Sequence, residues 1–154
     1  MSTTVETSPV RPHRIRTATL ADAGPIFTML GQLEPDYVPE RSSFDGAFVA
    51  AVQAAGDNVL LVAVDGDGTV VGYALATLAR LLHTKGLSAQ LQELVVDEST
   101  RGQRVGNQLV ASVERECVLR GARQLTVVSR RNAAFYEGLD YRSTADFLKK
   151  SLVH

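Results

Sequence analysis

The stretch VVDESTRGQRVGNQLV, residues 95–110, joins the three patterns that decide the fold. A short apolar run is followed by a polar turn with two arginines and two glycines, and a helical pattern then begins. The first N–H groups of a helix have no intrahelical partner, and the helix dipole adds partial positive charge there. Gly102 and Gly106 would let a ligand approach the backbone, and Arg101 and Arg104 add charge. These features indicate an anion cradle for phosphate, although a surface connection with incidental arginines would contain the same residues.

Two other phosphate motifs do not fit this turn. The P-loop requires Gly-x-x-x-x-Gly-Lys-Ser/Thr, and the dinucleotide fingerprint requires Gly-x-Gly-x-x-Gly. The glycines at 102 and 106 match neither spacing. The turn also follows an apolar run that ends in Leu-Val-Val-Asp, so a ligand would lie at the carboxyl end of a strand, where open α/β sheets commonly bind ligands.

Hydrophobic periodicity predicts an α/β fold with a mixed sheet. The strongest local signal is a hairpin over 58–82, where two apolar runs flank Asp65-Gly66-Asp67-Gly68. The other predicted elements are a strand around Ile15 and Thr17, a helix after Asp22, a helix starting near Ser43, strands at 89–97 and 123–129, helices at 101–121 and 132–140, and one or two closing strands at 141–152. Their order is β-α-α-β-β-β-α-β-α-β(β), in a single domain over 13–154.

Composition narrows the class of protein. A chain of 154 residues with 45% hydrophobic content suits one domain with its own core. A net charge of −1 argues against a general nucleic-acid-binding protein, and no apolar run approaches the length of a membrane span. The N-terminus lacks the apolar core of a signal peptide, so we predict a disordered leader at 1–12 and a cytoplasmic protein.

The cysteine and histidine residues form no metal motif. Cys117, the one cysteine of the sequence, shares a helical stripe with apolar residues and is interpreted as a small buried side chain, with a reactive thiol as the alternative. The three histidines, His13, His83 and His154, do not have the spacing of metal ligands, so no metal site is predicted.

The turn resembles the signature of a known enzyme family. Arg101-Gly102-Gln103-Arg104-Val105-Gly106 is similar to the Arg/Gln-x-x-Gly-x-Gly/Ala motif of the GNAT superfamily, the acyl-CoA-dependent N-acyltransferases. In that family the turn holds the pyrophosphate of coenzyme A. Arg104 stands where the family has its middle glycine, and its side chain could contact phosphate directly.

A second resemblance covers residues 132–152. This segment is similar to the closing segment of the family, in which Asn and Ala precede a Phe-Tyr pair and a strand ends in Lys-x-Leu. The residues that fall close to that frame are Asn132, Ala134, Phe135, Tyr136 and Tyr141. Asp140 stands where a glycine is usual, and Asp tolerates left-handed backbone geometry, so we expect the turn to be kept.

The resemblance implies a GNAT-type fold over nearly the whole chain, with acetyl-CoA as co-substrate and no metal. It also implies a bulge at Leu94-Val95-Val96 with main-chain groups free to bind the coenzyme, in a strand that splays from its parallel neighbour at 125–129. The implied coenzyme-binding residues are Leu94, Val95, Val96, Arg101, Gly102, Gln103, Arg104, Val105, Gly106, Asn107, Asn132 and Phe135.

Two side chains are candidates for proton transfer. Tyr136 occupies a position where the family often has a tyrosine beside the coenzyme sulfur, and a phenol could protonate the departing thiolate; a structural core tyrosine is the alternative. Glu93, one residue before the expected bulge, could accept the proton of the amine, or be a solvated strand residue. Because Gln92 and Glu93 alternate along the strand and a bulge disturbs alternation, the sequence leaves open which of them faces the cleft.

The resemblance implies an N-acetyltransferase that moves an acetyl group from acetyl-CoA to a primary amine by direct attack. A non-catalytic acyl-CoA-binding module of the same fold is the alternative, motivated by the replacements at Arg104 and Asp140 and by the open identity of the general base. The loops 34–43 and 80–89 would face a small or peptide amine, and the polar candidates in them are Asp36, Tyr37, Glu40 and His83. A homodimer is compatible with the resemblance, since many members of the family pair through their closing strands.

Overall fold

The computed structural model describes residues 13–153, so the predicted leader at 1–12 and His154 lie outside the described residues. Within this range the elements follow the order β-α-α-β-β-β-α-β-α. They are β1 Arg14–Thr17, α1 Ala23–Leu30, α2 Arg41–Gln53, β2 Asn58–Val64, β3 Val70–Arg80, β4 Leu87–Val96, α3 Val105–Leu119, β5 Ala122–Val127 and α4 Ala133–Glu137. The predicted mixed α/β class is confirmed.

The strands form one sheet in the order β1-β2-β3-β4-β5. Strands β1 to β4 pair antiparallel, whereas β5 pairs parallel to β4 after the crossover through α3. The predicted hairpin forms between β2 and β3, where Gly68 adopts a φ of +83° that a residue with a Cβ would resist. The Asp65 side chain closes the turn by accepting hydrogen bonds from the N–H groups of Asp67 and Thr69, both at 2.9 Å.

Helices cover both faces of the sheet. The face under α3 contains a core that includes Val105, Leu109, Val113, Leu61 and Ala74. The opposite face packs on α1 and α2 through a second core that includes Ile26, Met29, Phe48, Val62 and Tyr73. Burial on both faces explains why β2 is apolar at nearly every position instead of alternating.

Helix α3 matches its prediction from the sequence. Cys117 lies on its buried face with 2% of its surface exposed, and burial raises the pKa of the thiol. The predicted small buried side chain is therefore confirmed. Gly121 follows the helix with a φ of +90°, as expected of a glycine that ends a helix. None of the helices between residues 13 and 153 is both long and apolar enough to cross a membrane.

The predicted closing strands at 141–152 are wrong. In the described chain no helix or strand follows Glu137. A strand requires a partner for its main-chain groups and a surface for its apolar side chains. The side chains of Phe147, Leu148 and Leu152 are 64%, 90% and 87% exposed, so these apolar residues are not buried by the described chain.

A partly buried ion pair holds β1 to the turn before α1. The Arg16 guanidinium donates to both carboxylate oxygens of Asp22, at 2.8 and 2.9 Å, and the Thr19 N–H donates to the same carboxylate at 2.7 Å. Asp22 is 4% exposed. The hydrogen bonds from Arg16 outweigh burial and hold the pKa of Asp22 below its ordinary value of 3.8. The stabilisation is therefore present above about pH 4 and is lost as the pH falls through the lowered pKa.

We predict that Asp22→Asn lowers the free energy of unfolding by about 2 kcal/mol at pH 7, because the amide cannot replace a charge-assisted pair. Asp45→Asn is the matched control. The pair of Asp45 with Arg41 is about half exposed on both sides and should contribute less than about 0.5 kcal/mol. Urea denaturation at pH 7 and again below pH 4 measures both effects. The gap between wild type and Asp22→Asn should shrink in acid, and equal losses for the two variants would contradict the assignment.

Candidate active site

Strand β4 has one irregularity in its pairing with β3. Consecutive β3 residues, 75 and 76, pair with Glu93 and Leu91, which leaves Gln92 without a partner. An extra residue of this kind is a β-bulge, which bends the strand and redirects its side chains. The bulge expected at Leu94–Val96 is therefore displaced: that prediction is wrong, because the register shift lies earlier and the pairing beyond it is regular.

The bulge turns Glu93 to the opposite face of the sheet from Leu91. In a regular strand residues two apart share a face, but here Leu91 lies in the core under α3. Glu93 lies on the α1–α2 side, where the Tyr73 hydroxyl donates to its Oε1 at 2.8 Å. Gln92 instead donates from Nε2 to Thr77 Oγ1 at 3.0 Å. Of the two candidates that the sequence left open, Glu93 is the one beside the α1–α2 cleft.

Tyr73 is a fixed donor to this carboxylate. Its side chain is among the largest that the sheet buries, with 2% of its surface exposed. Burial, reinforced by the negative charge of Glu93, raises the pKa of Tyr73 far above its ordinary value. The hydroxyl therefore stays protonated at any physiological pH and donates a hydrogen bond to Glu93. This bond restrains the orientation of the carboxylate.

Strands β4 and β5 separate halfway along β4. Residues Leu87–Leu91 pair with Ala122–Val127, and the parallel ladder then stops. Along the described chain, residues 92–96 consequently have no strand partner on the side of β5. This separation agrees with the splayed pair expected from the sequence and leaves main-chain groups around Leu94, Val95 and Val96 open to a ligand.

The turn after β4 presents N–H groups without partners. Asp97 starts it by accepting from the N–H of Ser99 at 3.2 Å, and Gly102 and Arg104 then take left-handed conformations with φ of +84° and +63°. Across residues 13–153, the structure gives no acceptor to the N–H groups of Gly102, Arg104, Val105, Gly106 and Asn107. We call these five donors the amide cradle. The cradle is open, as an anion site at a helix start requires.

Two guanidinium groups are available beside the amide cradle. Arg101 and Arg104 are exposed, and neither forms a salt bridge with a carboxylate of the described chain. Arg104 adopts the backbone geometry that the replaced glycine would adopt, at a cost of about 1 kcal/mol for a residue with a Cβ. The replacement therefore keeps the shape of the turn and adds a positive charge to it.

Helix α4 lies against the start of α3. A Cβ built on Gly106 would be 3.5 Å from Phe135 Cζ and 3.8 Å from Val96 Cγ2, both ordinary contact distances. Phe135 therefore packs where β4 ends and α3 begins. The remaining predicted residue, Asn132, is exposed at the start of α4, and its N–H donates to Ser129 Oγ at 3.0 Å.

Tyr136 is a buried ring with a free hydroxyl. The residue is 8% exposed, and its ring packs edge-to-face on Phe135 and Tyr141 with centroids 4.9 and 5.8 Å apart. Its hydroxyl makes no hydrogen bond within residues 13–153 and is not fully enclosed. Burial raises the pKa of Tyr136 above its ordinary value of 10.0, so the phenol carries its proton near neutral pH.

The expected left-handed turn after α4 is confirmed. Asp140 has a φ of +70°, and the N–H of Tyr141 returns to the carbonyl of Tyr136 at 3.0 Å. The Tyr141 hydroxyl then donates to Glu114 on α3 at 3.0 Å. The main-chain bond closes the turn after α4 and so fixes the position of the Tyr136 ring, and the Tyr141 hydroxyl adds a contact with α3.

A cleft of about 520 Å³ lies between the sheet and helices α1 and α2. Glu93 and Tyr73 are among its lining residues, and most of the others are apolar: Ile26, Leu30, Leu33, Phe44, Ala47, Phe48, Ala51, Leu60 and Leu75. Of the four polar residues that the sequence offered for the acceptor, Tyr37 lines the cleft, whereas Asp36, Glu40 and His83 do not. Ser43, expected near the start of α2, lies within that helix and also faces the cleft.

A family model described as an acetyltransferase (GNAT) domain matches residues 56–143, more than half of the chain. The chain belongs to the GNAT family. It is 32% identical over 146 residues to the aminoalkylphosphonate N-acetyltransferase of Salmonella typhimurium, covering 90% of each chain. As a GNAT protein it is an acyl-CoA-dependent N-acetyltransferase, and acetyltransferases of this family use acetyl-CoA as co-substrate.

Solved structures share the GNAT fold. The glucosamine-6-phosphate N-acetyltransferase of Arabidopsis thaliana superposes with a TM-score of 0.79 at 21% identity, covering 92% of this chain and 99% of that one. A possible acetyltransferase of Clostridium difficile gives a TM-score of 0.79 at 18% identity, covering 94% of this chain and 100% of that one. At these identities the likeness supports the fold alone.

Reasoning from the sequence missed three residues of the GNAT cleft. Tyr73 is a polar aromatic residue inside an apolar strand, and its pairing with the strand of Glu93 was the signal that could have found it. The helical pattern around Phe44 predicts a core residue of an amphipathic helix and gives no sign of a position in the cleft. Lys149 lines the cleft from a segment that was predicted to be a strand.

We predict that Gly106→Val weakens the binding of coenzyme A by about tenfold or more, whereas Gly106→Ala, the residue that the family motif also allows, keeps the affinity within about threefold. A Cβ at this position meets only ordinary contacts inside the protein, so the loss would come from a ligand that approaches the backbone too closely for a branched side chain. Calorimetric titration with coenzyme A measures the affinity, and urea denaturation measures the stability. Unchanged affinity would contradict close approach at Gly106.

The variant Arg104→Gly distinguishes the contribution of the Arg104 side chain to coenzyme binding from that of the main-chain N–H groups. Glycine accepts the left-handed conformation at no cost, so the free protein should gain stability by about 1 kcal/mol. If the guanidinium contacts phosphate, the variant should bind coenzyme A several-fold more weakly, and the loss should diminish at high salt. Unchanged affinity would indicate that the amide cradle binds the phosphates without the Arg104 side chain.

Proposed function

We propose that this N-acetyltransferase transfers an acetyl group from acetyl-CoA to a primary amine by direct attack, with both substrates bound together. One observation carries the proposal: β4 borders two sites at once. Its unpaired edge, at Leu94–Val96, runs to the amide cradle on one side, and Glu93 faces the α1–α2 cleft on the other. Donor and acceptor sites therefore meet across a single strand.

The amide cradle and its arginines fit the linked phosphates of the coenzyme. Free N–H groups at the start of a helix bind phosphate oxygens, and the exposed Arg101 and Arg104 add positive charge in the same turn. Gly106 leaves the backbone uncovered at the same place. The residues proposed to hold the coenzyme are Leu94, Val95, Val96, Arg101, Gly102, Gln103, Arg104, Val105, Gly106, Asn107, Asn132 and Phe135.

The open edge of β4 would bind the extended arm of the coenzyme and its thioester. The Asp97 N–H bonds to the Val71 carbonyl on the β3 side at 2.8 Å, so strand alternation directs the N–H groups of Leu94 and Val96 to the open edge. A fixed N–H donor aimed at the thioester oxygen stabilises the charge that develops there when the amine attacks. Because the strand does not move to make this contact, little reorganisation is needed during the reaction.

Two side chains would move the protons. Glu93, restrained by Tyr73, accepts one proton from the bound ammonium group, directly or through a water molecule, and the freed nitrogen then forms a bond to the carbonyl carbon. The carbon–sulfur bond breaks, the Tyr136 hydroxyl gives its proton to the departing thiolate, and the second proton that the nitrogen loses restores the phenol. The raised pKa of Tyr136 keeps this proton in place until the thiolate forms.

The replaced glycines give little support to the alternative of a non-catalytic module, because Arg104 and Asp140 both hold a left-handed backbone. Its other ground, the uncertain base, is met in this proposal by Glu93 beside the cleft. The relative from Salmonella is named for an acceptor that carries an amine and a phosphonate, which supports a primary amine as the acceptor class here. A cytoplasmic location stays a prediction of the sequence.

We predict that Tyr136→Phe lowers kcat by about 10- to 100-fold and that Glu93→Gln lowers kcat/KM by about 100-fold, because each removes a proton-transfer group. Release of free coenzyme A thiol from acetyl-CoA with a panel of primary amines measures both. Tyr141→Phe makes the same chemical change on the adjacent ring and should alter kcat less than about twofold.

Acetyl-CoA should raise the melting temperature of the wild type and of both variants, since neither change touches the amide cradle. If acetyl-CoA stabilises none of these proteins, the proposed donor site is wrong. If Tyr136→Phe and Tyr141→Phe reduce turnover equally, the proton of Tyr136 has no special role and the ring is structural.

A homodimer forms part of the proposal. Strand β5 is the last strand of the described sheet, and no other strand of residues 13–153 pairs with its outer edge. The segment with Phe147, Leu148 and Leu152 is apolar and exposed in a single chain. An unpaired edge and an unpartnered apolar segment suit each other, so the segment of one copy would pair with the sheet edge of a second.

We predict that light scattering gives the mass of two chains for the wild type and of one chain for Leu148→Lys. Val118 is the matched control: it is 70% exposed on α3, away from the segment, so Val118→Lys should keep the dimer. A wild-type protein with the mass of one chain at micromolar concentration would overturn this part of the proposal.

A further inference from the structure

The charges inside the α1–α2 cleft are unequal. Two carboxylates, Glu34 and Glu93, line it, and its only lining cation among the described residues is Lys149. Glu34 lies at the exposed rim and pairs with Arg130 at 3.3 Å, with the two side chains 49% and 63% exposed, so solvent screens its charge. With Glu34 paired to Arg130, Glu93 and Lys149 are the remaining charges of the cleft, and they form no salt bridge with each other.

Glu93 has a hydrogen-bond donor but no cation. Its side-chain partner in the described chain is the neutral Tyr73 hydroxyl, and no arginine, lysine or histidine of residues 13–153 lies within salt-bridge distance of it. A partly buried carboxylate is costly to leave unpaired, so the cleft favours a ligand that brings a positive charge to this point. A protonated amine supplies it.

The remainder of the cleft offers surface for an apolar body. Phe44 stacks on Phe48 with ring centroids 5.4 Å apart, and Leu75 lies opposite Glu93 in the β3–β4 register. The cleft volume of about 520 Å³ falls in the range of sites for small organic ligands. Aromatic and aliphatic walls of this kind stabilise a ligand that buries apolar surface, and they offer no hydrogen bonds or ion pairs to a charged group.

The start of α2 does not provide a site for an anion at the rim of the cleft. Glu40 precedes the helix, so a carboxylate already lies at its positive end. Arg41 donates to Asp45 at 2.8 Å and lies over the rings of Phe27 and Phe44, at 5.0 and 5.9 Å from their centroids. A phosphonate or phosphate in the cleft would consequently meet one cation, Lys149, and the hydroxyls of Tyr37 and Ser43, against the repulsion of Glu93.

We infer that the acceptor is a primary amine with an apolar body, such as an arylalkylamine, and that it carries no phosphonate or phosphate group. The ammonium group lies at Glu93, below the open edge of β4, and the body lies between α1 and α2. The inference rests on the proposed acetyl transfer and narrows its acceptor. It also separates this chain from its relative, whose name specifies a phosphonate.

The test compares two acceptors that share an aminoethyl group, 2-phenylethylamine and 2-aminoethylphosphonate. With saturating acetyl-CoA and the full-length wild type, kcat/KM for 2-phenylethylamine should exceed that for 2-aminoethylphosphonate by at least about tenfold. Equal values, or a preference for the phosphonate, would overturn the inference while leaving the proposed acetyl transfer intact.

A charge reversal at the rim tests the electrostatic part. Glu34→Lys places a second ammonium group near Lys149 and should reduce the preference for 2-phenylethylamine by about threefold or more. Asp36→Lys changes the net charge equally from the same loop but does not line the cleft, so it should leave the preference within about twofold. Equal effects of the two variants would contradict a role for charge inside the cleft.

Failure of the proposed function gives a different result. If neither amine releases coenzyme A, acetyl transfer to these amines is wrong, and the inference is decided by binding to the acetyl-CoA-saturated protein. A rise in melting temperature with 2-phenylethylamine and none with 2-aminoethylphosphonate would support the assigned chemistry of the cleft. The reverse result, or no rise with either amine, would overturn it.

Discussion

The bulge at Gln92 determines which side chains of β4 meet which cleft. Without the extra residue, Glu93 would lie on the same face as Leu91, in the apolar core under α3, where a carboxylate would be buried without a donor. With it, the carboxylate reaches the α1–α2 cleft, and the ladder between β4 and β5 stops at the same point. One irregularity thus creates both an accessible strand edge and a directed carboxylate.

The pairing of β3 with β4 makes this arrangement rigid. Tyr73 pairs with Val95 and reaches diagonally to Glu93, so its ring fills the core on the α1–α2 side while its hydroxyl holds the carboxylate. Burial makes ionisation of this phenol unfavourable, which keeps it a donor and leaves the negative charge on Glu93 alone. A hydrogen bond restrains that charge without cancelling it, and the charge remains available to a ligand.

Features encoded by a few adjacent residues were predictable from the sequence. The glycine-containing turn before α3, the hairpin at Gly68 and the helix end at Gly121 all depend on local backbone geometry, which the residue type reveals directly. The position of the bulge was not predictable from the sequence, because a register shift depends on which residues of β3 lie opposite those of β4. The closing segment with Leu148 has a strand-like pattern, but a strand also needs a paired partner, and in the described chain this segment pairs with neither edge of the sheet.

Two residues with side chains hold left-handed geometry at the points where the proposed site is assembled. Arg104 opens α3 and Asp140 closes the turn after α4, each at a cost of about 1 kcal/mol that glycine would avoid. The costs are tolerated because neighbouring bonds fix the geometry: the Gln108 N–H bonds to the Arg104 carbonyl at 3.1 Å, and the Tyr141 N–H bonds to the Tyr136 carbonyl at 3.0 Å. Backbone strain kept in place by its surroundings concentrates at functional sites. Here one strained residue shapes the amide cradle and the other positions the buried tyrosine. Arg104 and Asp140 therefore preserve the backbone of the proposed site although neither is a glycine.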